Sequence, residues 1–251
     1  MKTSISKIQY SLGFIALLSL LSSCSPAIYN ANAINAPLLS KKGNTKISLG
    51  STLGTEVLFN NNLQGAYAIS DHLGLMVNSM QHKFRRTNSS FGSSSTSRHK
   101  EIFTEAGLGY YSAIGNSSKW RWECYGGFGL GKTRETEPNN ELIISAPFRR
   151  FFAQPSIGFV SRYFDAALSV RGSYLSVGQI NWVGDIRNGT TVHGAIIEPC
   201  LTIRAGGRRI KPFLQYSWMF PEDRLAPVID LDGLIAKFFT LQLGVSLNLK
   251  G

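Results

Sequence analysis

From Thr45 onward the chain repeats one pattern, in which segments of about ten residues alternate apolar with small or polar side chains and are separated by turns. Ten such segments can be counted. The last sets Phe239, Leu241, Leu243, Val245, Leu247 and Leu249 against Thr240, Gln242, Gly244, Ser246 and Asn248. The first sets Ile47, Leu49 and Leu53 against Lys46, Ser48 and Gly50, and the ninth sets Ile210, Pro212, Leu214, Tyr216 and Trp218 against Lys211, Phe213, Gln215 and Ser217. Period two is the signature of a strand with two different faces, so the sequence predicts an all-β chain.

The other strands are expected at 61–70, 73–86, 101–114, 119–134, 148–161, 163–178 and 194–205. A tilted strand needs about nine to eleven residues to cross a bilayer, whereas soluble sandwiches use shorter ones. Connections alternate in length. They are short at Asp71-His72, Gly115 to Ser118, Ser161-Arg162 and Gly206-Gly207, and long at 87–100, 135–147, 179–193 and 221–237, with a short one near 55–60. This is the pattern of an up-and-down antiparallel transmembrane β-barrel of ten strands, eight being the alternative count. An even number puts both barrel ends on one side.

Charges fall on the parity opposite to the apolar side chains. Glu101, Glu105, Arg121, Glu123, Arg150, Asp165, Arg171, Glu198, Arg204 and Lys211 are assigned to the lumen, where opposite signs are expected to pair. A soluble barrel would invert this, with apolar side chains inside. Aromatics favour the membrane reading: Phe84, Tyr110, Trp120, Phe151, Phe159, Phe164, Tyr174, Trp218 and Phe239 sit near strand ends on the apolar parity, as interfacial girdles do.

Residues 1–23 read as a signal peptide, with basic Lys2 and Lys7, an apolar stretch from Leu12 to Leu21 and small residues before Cys24. Leu21-Ser22-Ser23-Cys24 resembles the lipobox of bacterial lipoproteins, which implies cleavage before Cys24 and its lipidation. Residues 24–43, with Pro26, Pro37 and no clear period, read as a lipidated tether entering the barrel from the periplasmic side. Together with the strand pattern over 44–251, this resembles small outer-membrane β-barrel proteins of Gram-negative bacteria. The resemblance implies the outer membrane, with a periplasmic N-terminus.

Little points to chemistry. Three cysteines and four histidines offer no disulfide framework and no multi-histidine metal site, so no cofactor, metal or catalytic residue is assigned. Cys124 and Cys200 have opposite parity, which argues against a disulfide between them. Gly126 to Thr133 fits the spacing of a phosphate-binding loop, but no helix pattern follows it, and Gly127, Gly129 and Gly131 read instead as room-makers on the lumenal parity. His82, His99, Glu101, Asp185 and His193 lie near the predicted outer rim without a known catalytic spacing. Glu222, Asp223, Asp230 and Asp232 gather in the last outer loop, where a solvated loop is favoured over a cation site.

The formal charge of +11 suggests anionic partners. Lys83, Arg85, Arg86, Arg98 and Lys100 flank the Ser-rich second outer loop, where membrane lipid and the phosphates of lipopolysaccharide are the expected partners, rather than nucleic acid. The expected function is structural or interactive, with a salt-bridged, closed lumen and a protein partner at the outer loops. Alternatives are an outer-membrane protease or lipid-modifying enzyme, a small pore, and a soluble periplasmic lipoprotein barrel binding an apolar ligand.

Overall fold

The computed structural model describes residues 29–52, 57–90, 93–115, 117–139, 141–182, 190–229 and 239–249; the signal segment and Cys24 lie outside them. The strands are β1 (Thr45–Thr52), β2 (Val57–Ala68), β3 (Leu73–Ser90), β4 (Ser93–Ile114), β5 (Ser117–Thr136), β6 (Leu142–Val160), β7 (Phe164–Trp182), β8 (Thr190–Ala205), β9 (Ile210–Trp218), β10 (Phe220–Pro221) and β11 (Phe239–Leu249). Successive long strands pair antiparallel, and β11 pairs with both β9 and β1, which closes the sheet on itself. Phe220↔Ile197 keeps the register of Cys200↔Ser217, so β10 continues β9 beyond Met219 and the barrel has ten staves. Thr45 pairs with Leu249, which puts both barrel ends at the short-turn side. A 3-10 turn (Asp223–Leu225) and α1 (Ala226–Ile229) follow β10 at the long-loop end.

All ten expected segments are strands, but several run further than their apolar alternation. The long loop expected at 87–100 is instead mostly ladder, through Thr87↔Thr96, Asn88↔Ser95, Ser89↔Ser94 and Ser90↔Ser93. Serine and asparagine there look like loop residues by composition. Once Gln81↔Ile102 fixes the register, however, each further pair adds hydrogen bonds without closing a new loop. In the same way β2 begins at Val57, β6 at Leu142 and β8 at Thr190.

The two faces separate cleanly. Leu49, Leu108 and Leu130 are 56%, 63% and 59% exposed on the outside, while Glu105, Arg150 and Arg171 are at most 1% exposed within. Exposed leucines outside and paired charges within are the reverse of a soluble barrel, while two layers of apolar side chains fill the lumen on either side of the charges. Tyr110, Trp120, Trp122, Tyr163 and Phe164 form an exposed aromatic band near the short turns. Phe84 departs from expectation: it is buried on the lumenal face and stacks on His99 at 4.4 Å, because its even number on β3 shares the parity of Met76 and Met80. The Phe239 side chain lies outside the described residues.

Gly126 to Thr133 lies wholly within β5, so these residues form no phosphate-cradling loop before a helix. A Cβ on Gly127 would meet the Phe152 ring at 2.6 Å, one on Gly129 would strike the Phe103 ring, and one on Gly131 the Phe148 ring. These glycines leave space for aromatic rings inside a narrow barrel. Cys124 is exposed and Cys200 buried, on opposite faces, and both are free thiols.

Candidate functional site: the threaded lumen

Residues 29–39, expected to form part of the lipidated tether, lie inside the barrel. Tyr29, Asn32, Ala33, Ile34, Asn35, Ala36, Leu38 and Leu39 are all buried. The physical reason is hydrogen bonding. A segment without regular structure keeps its backbone groups unpaired, and the lumenal side chains supply partners for them. Ile34 N–H donates to Gln215 Oε1 at 3.0 Å, and Gln215 Nε2 donates back to Ile34 O at 2.7 Å. Ala33 N–H donates to Asn62 Oδ1 at 3.2 Å, Gln154 Nε2 donates to Asn35 O at 2.7 Å, and Arg204 Nη2 donates to Ala36 O at 2.8 Å.

The segment has a direction. Tyr29 N–H bonds Val228 O at the long-loop end, Asn32 meets Glu105 midway, Leu38 N–H meets Glu123, and Lys42 N–H reaches Asp71 Oδ1 in a short turn. The described chain therefore runs from the long-loop end to the short-turn end before β1 begins. The expectation that the tether enters from the short-turn side meets a chain running the other way. Leu38 takes a φ of 49°, a left-handed conformation costing roughly 1–2 kcal/mol for a residue with a Cβ. Its N–H bond to Glu123 Oε2 at 2.9 Å and its packing against Ala36 and Ala167 hold that turn.

At mid-depth sits a charge cluster. Arg171 clasps Glu198 through two bonds, Nε to Oε2 at 2.8 Å and Nη2 to Oε1 at 2.9 Å. Arg150 pairs with Glu105 and with the Tyr29 hydroxyl, donates to Asn32 Oδ1 at 2.7 Å, and lies 4.6 Å from the Phe103 ring centroid. Glu105 also accepts from Asn32 and Asn78, at 2.9 and 2.8 Å. Closer to the short turns, Lys211 Nζ pairs with Asp165 at 2.7 Å. Buried charges are tolerable only with such mutual pairing and further hydrogen bonds.

The ten lumenal charges divide into two groups. Glu105, Arg150, Asp165, Arg171, Glu198 and Lys211 pair among themselves. Glu101, Arg121, Glu123 and Arg204 instead bond to the inserted segment: Asn30 Nδ2 donates to Glu101 at 2.7 Å, and Arg121 Nη1 donates to Leu39 O at 3.1 Å. Apolar layers flank the charges, with Tyr29, Met80, Phe103, Phe148, Leu225 and Val228 toward the long loops and Leu39, Met76, Tyr111, Tyr125 and Phe152 toward the short turns. The sequence reading missed Tyr29, Asn30, Asn32 and Asn35. The only signal for them is the spacing of two between Asn30 and Asn32, a strand-like alternation too brief to stand out.

Of the rim residues, His82, His99 and Glu101 are buried in the lumen, His82 opposite Glu101 in register and 6.4 Å from His99 between ring centroids, whereas His193 is exposed on the outer face and Asp185 lies outside the described residues. Glu222 bonds Ala195 N–H at 3.0 Å and Arg224 at 3.1 Å. Asp230 and Asp232 lie outside the described residues, among which no group of three His, Cys, Asp or Glu could hold a metal ion.

Fold and lumen together define a closed ten-stranded antiparallel β-barrel with an apolar exterior and a polar, occupied interior. No family model matches the chain, and no curated protein matches it. Among solved structures it is similar to the NanC porin in its rhombohedral crystal form, with 11% sequence identity, a TM-score of 0.37, and coverage of 82% of this chain and all of that one.

Proposed function

We propose that this chain is an outer-membrane β-barrel protein, lipid-anchored at Cys24, whose lumen is closed by its own N-terminal segment. Its role is structural or interactive at the membrane surface rather than conductive. The observation that carries this reading is the burial of residues 29–39 among hydrogen-bond partners from strands around the barrel. The exposed apolar face supports the membrane location, since so large a belt is stable only against lipid.

The direction of threading supports a corollary about the anchor. Tyr29 N–H bonds Val228 O, so the described chain begins on the long-loop side of the charge cluster, and a lipid on Cys24, five residues upstream in sequence, is assigned to that side. The acyl chains then belong to the face that carries the long loops, not to the periplasmic face.

Conductance is the test. The full-length barrel in a planar bilayer should give no ion-conducting steps, and deletion of residues 29–40 should produce them. Steady conductance of the intact protein would overturn the reading.

A further inference from the structure

The outward face of β3, β4 and β5 changes character along its length. Nearest the short turns it is apolar, with Leu73, Leu75 and Val77 on β3, Tyr110, Leu108 and Ile102 on β4, and Trp120, Trp122, Phe128 and Leu130 on β5. From Tyr110 to Ile102 is about 26 Å along the strand at ~3.3 Å per residue, or about 20 Å of height at a strand tilt of about 40°, most of the ~25 Å apolar band of a membrane barrel. Immediately beyond, the same face turns basic. Lys83 and Arg85 follow on β3, Lys100 and Arg98 on β4, and Lys132 and Arg134 on β5, all exposed.

Register brings these charges together. Lys83 pairs with Lys100, Lys100 with Arg134, and Arg85 with Arg98. Directly opposed residues hold their Cβ atoms about 4.5–5.5 Å apart, and like charges there destabilise a sheet. Every acidic residue of the three strands, Glu101, Glu105, Glu123 and Glu135, turns into the lumen, so none of them stands on this face beside Lys83, Lys100 and Arg134. A cleft of about 270 Å³ at this end is lined by Lys83, Arg85, Lys100 and Arg134 together with Phe84 and His99 of the lumenal parity.

We propose that this row is a binding site for the phosphate groups of an anionic lipid headgroup, held by Lys83, Lys100 and Arg134. Three features select that occupant. The cations begin where the apolar belt ends, at headgroup depth; they share one lipid-facing surface; and Lys and Arg together offer the point charge and the planar donor fork that bind phosphate oxygens. A ligand with more than one phosphate matches a row of three cations better than a single anion does. Bound phosphate also removes the repulsion between neighbouring strands. The proposal rests on the membrane reading of the apolar face.

The experiment uses the full chain in neutral detergent and follows its thermal unfolding and its retention of added diphosphoryl lipid A, with phosphatidylcholine and inorganic phosphate as the other probes. The wild-type protein should retain lipid A and unfold at higher temperature with it, while equal phosphate concentrations change little. The triple variant Lys83→Gln/Lys100→Gln/Arg134→Gln should bind lipid A at least tenfold more weakly, yet be as stable as wild type or more so without lipid, because the repulsion is gone. Lys41→Gln/Arg162→Gln/Arg208→Gln, at the opposite mouth, should bind as wild type does. Undiminished lipid A binding by the first triple variant, or equal stabilisation by inorganic phosphate, overturns the proposal. Solubility of the chain without detergent would overturn the membrane reading itself.

Discussion

Gln215 bonds both the N–H and the C=O of Ile34, so one side-chain amide on β9 gives a buried stretch of backbone the pair of hydrogen bonds a neighbouring strand would give. The same amide nitrogen donates to Thr202 Oγ1 at 2.8 Å, which fixes its orientation. Directly opposite on β11 stands Gln242, also buried, whose amide has no hydrogen-bond partner among the described residues. Two glutamines of equal burial thus occupy different energetic positions.

Replacing Gln215 with Leu leaves two buried backbone groups unpaired, each costing about 1–3 kcal/mol. The Gln215→Leu barrel should therefore unfold at distinctly lower urea concentration in lipid vesicles. Gln242→Leu removes an unbonded amide and should be neutral or stabilising. Equal effects of the two changes would contradict the bonding role of Gln215.

Arg150→Met strips Glu105 and Tyr29 of their shared partner and leaves Glu105 only the longer pair with Arg171 at 3.5 Å, so it should destabilise the barrel by up to about 3–5 kcal/mol. Adding Glu105→Gln removes the carboxylate charge. The double variant should lose clearly less stability than the two single losses added together, and a double-mutant cycle by urea unfolding reads this coupling directly.

On the outer face, Leu108→Arg places a cation within the apolar belt, where it costs up to about 2–4 kcal/mol against lipid. In vesicles the variant should unfold more readily or insert poorly. A soluble protein would tolerate an exposed arginine there, so an unchanged midpoint counts against the membrane assignment.

Gly131→Ala drives a methyl group into the Phe148 ring, an overpacking worth about 1–3 kcal/mol. Gly126 faces outward, with nothing nearer its Cβ position than Phe152 O at 3.7 Å, so Gly126→Ala should be tolerated. Comparing the temperatures at which the two variants lose their folded mobility on detergent gels separates the two cases.

Threading makes an orientation prediction as well. An epitope inserted between Ser25 and Pro26 should be reached by antibody on intact cells, as should one inserted at Asn139 in the β5–β6 connection. Detection of the first only after the outer membrane is opened, with the second accessible throughout, would reverse the assigned direction of the segment.

What the sequence determined by itself is which segments become barrel strands and, for most side chains, which parity is apolar. Alternation depends only on the period of two along an extended chain, so Leu108 and Glu105 fall on opposite sides before any fold is known. Arg150, Arg171 and Glu198 fall on the parity opposite the apolar side chains for the same reason. Only the tertiary structure decided what those charges meet. Arg204 bonds Ala36 O and Glu123 bonds Leu38 N–H across 168 and 85 residues, contacts that no local pattern encodes. Residues 29–40 lack regular periodicity because their hydrogen bonds go to side chains of many strands rather than to one neighbour, so the segment looks like a linker until the barrel closes around it. The basic row has the same origin: Lys83, Lys100 and Arg134 are ordinary surface residues in the sequence, and only strand register makes them neighbours.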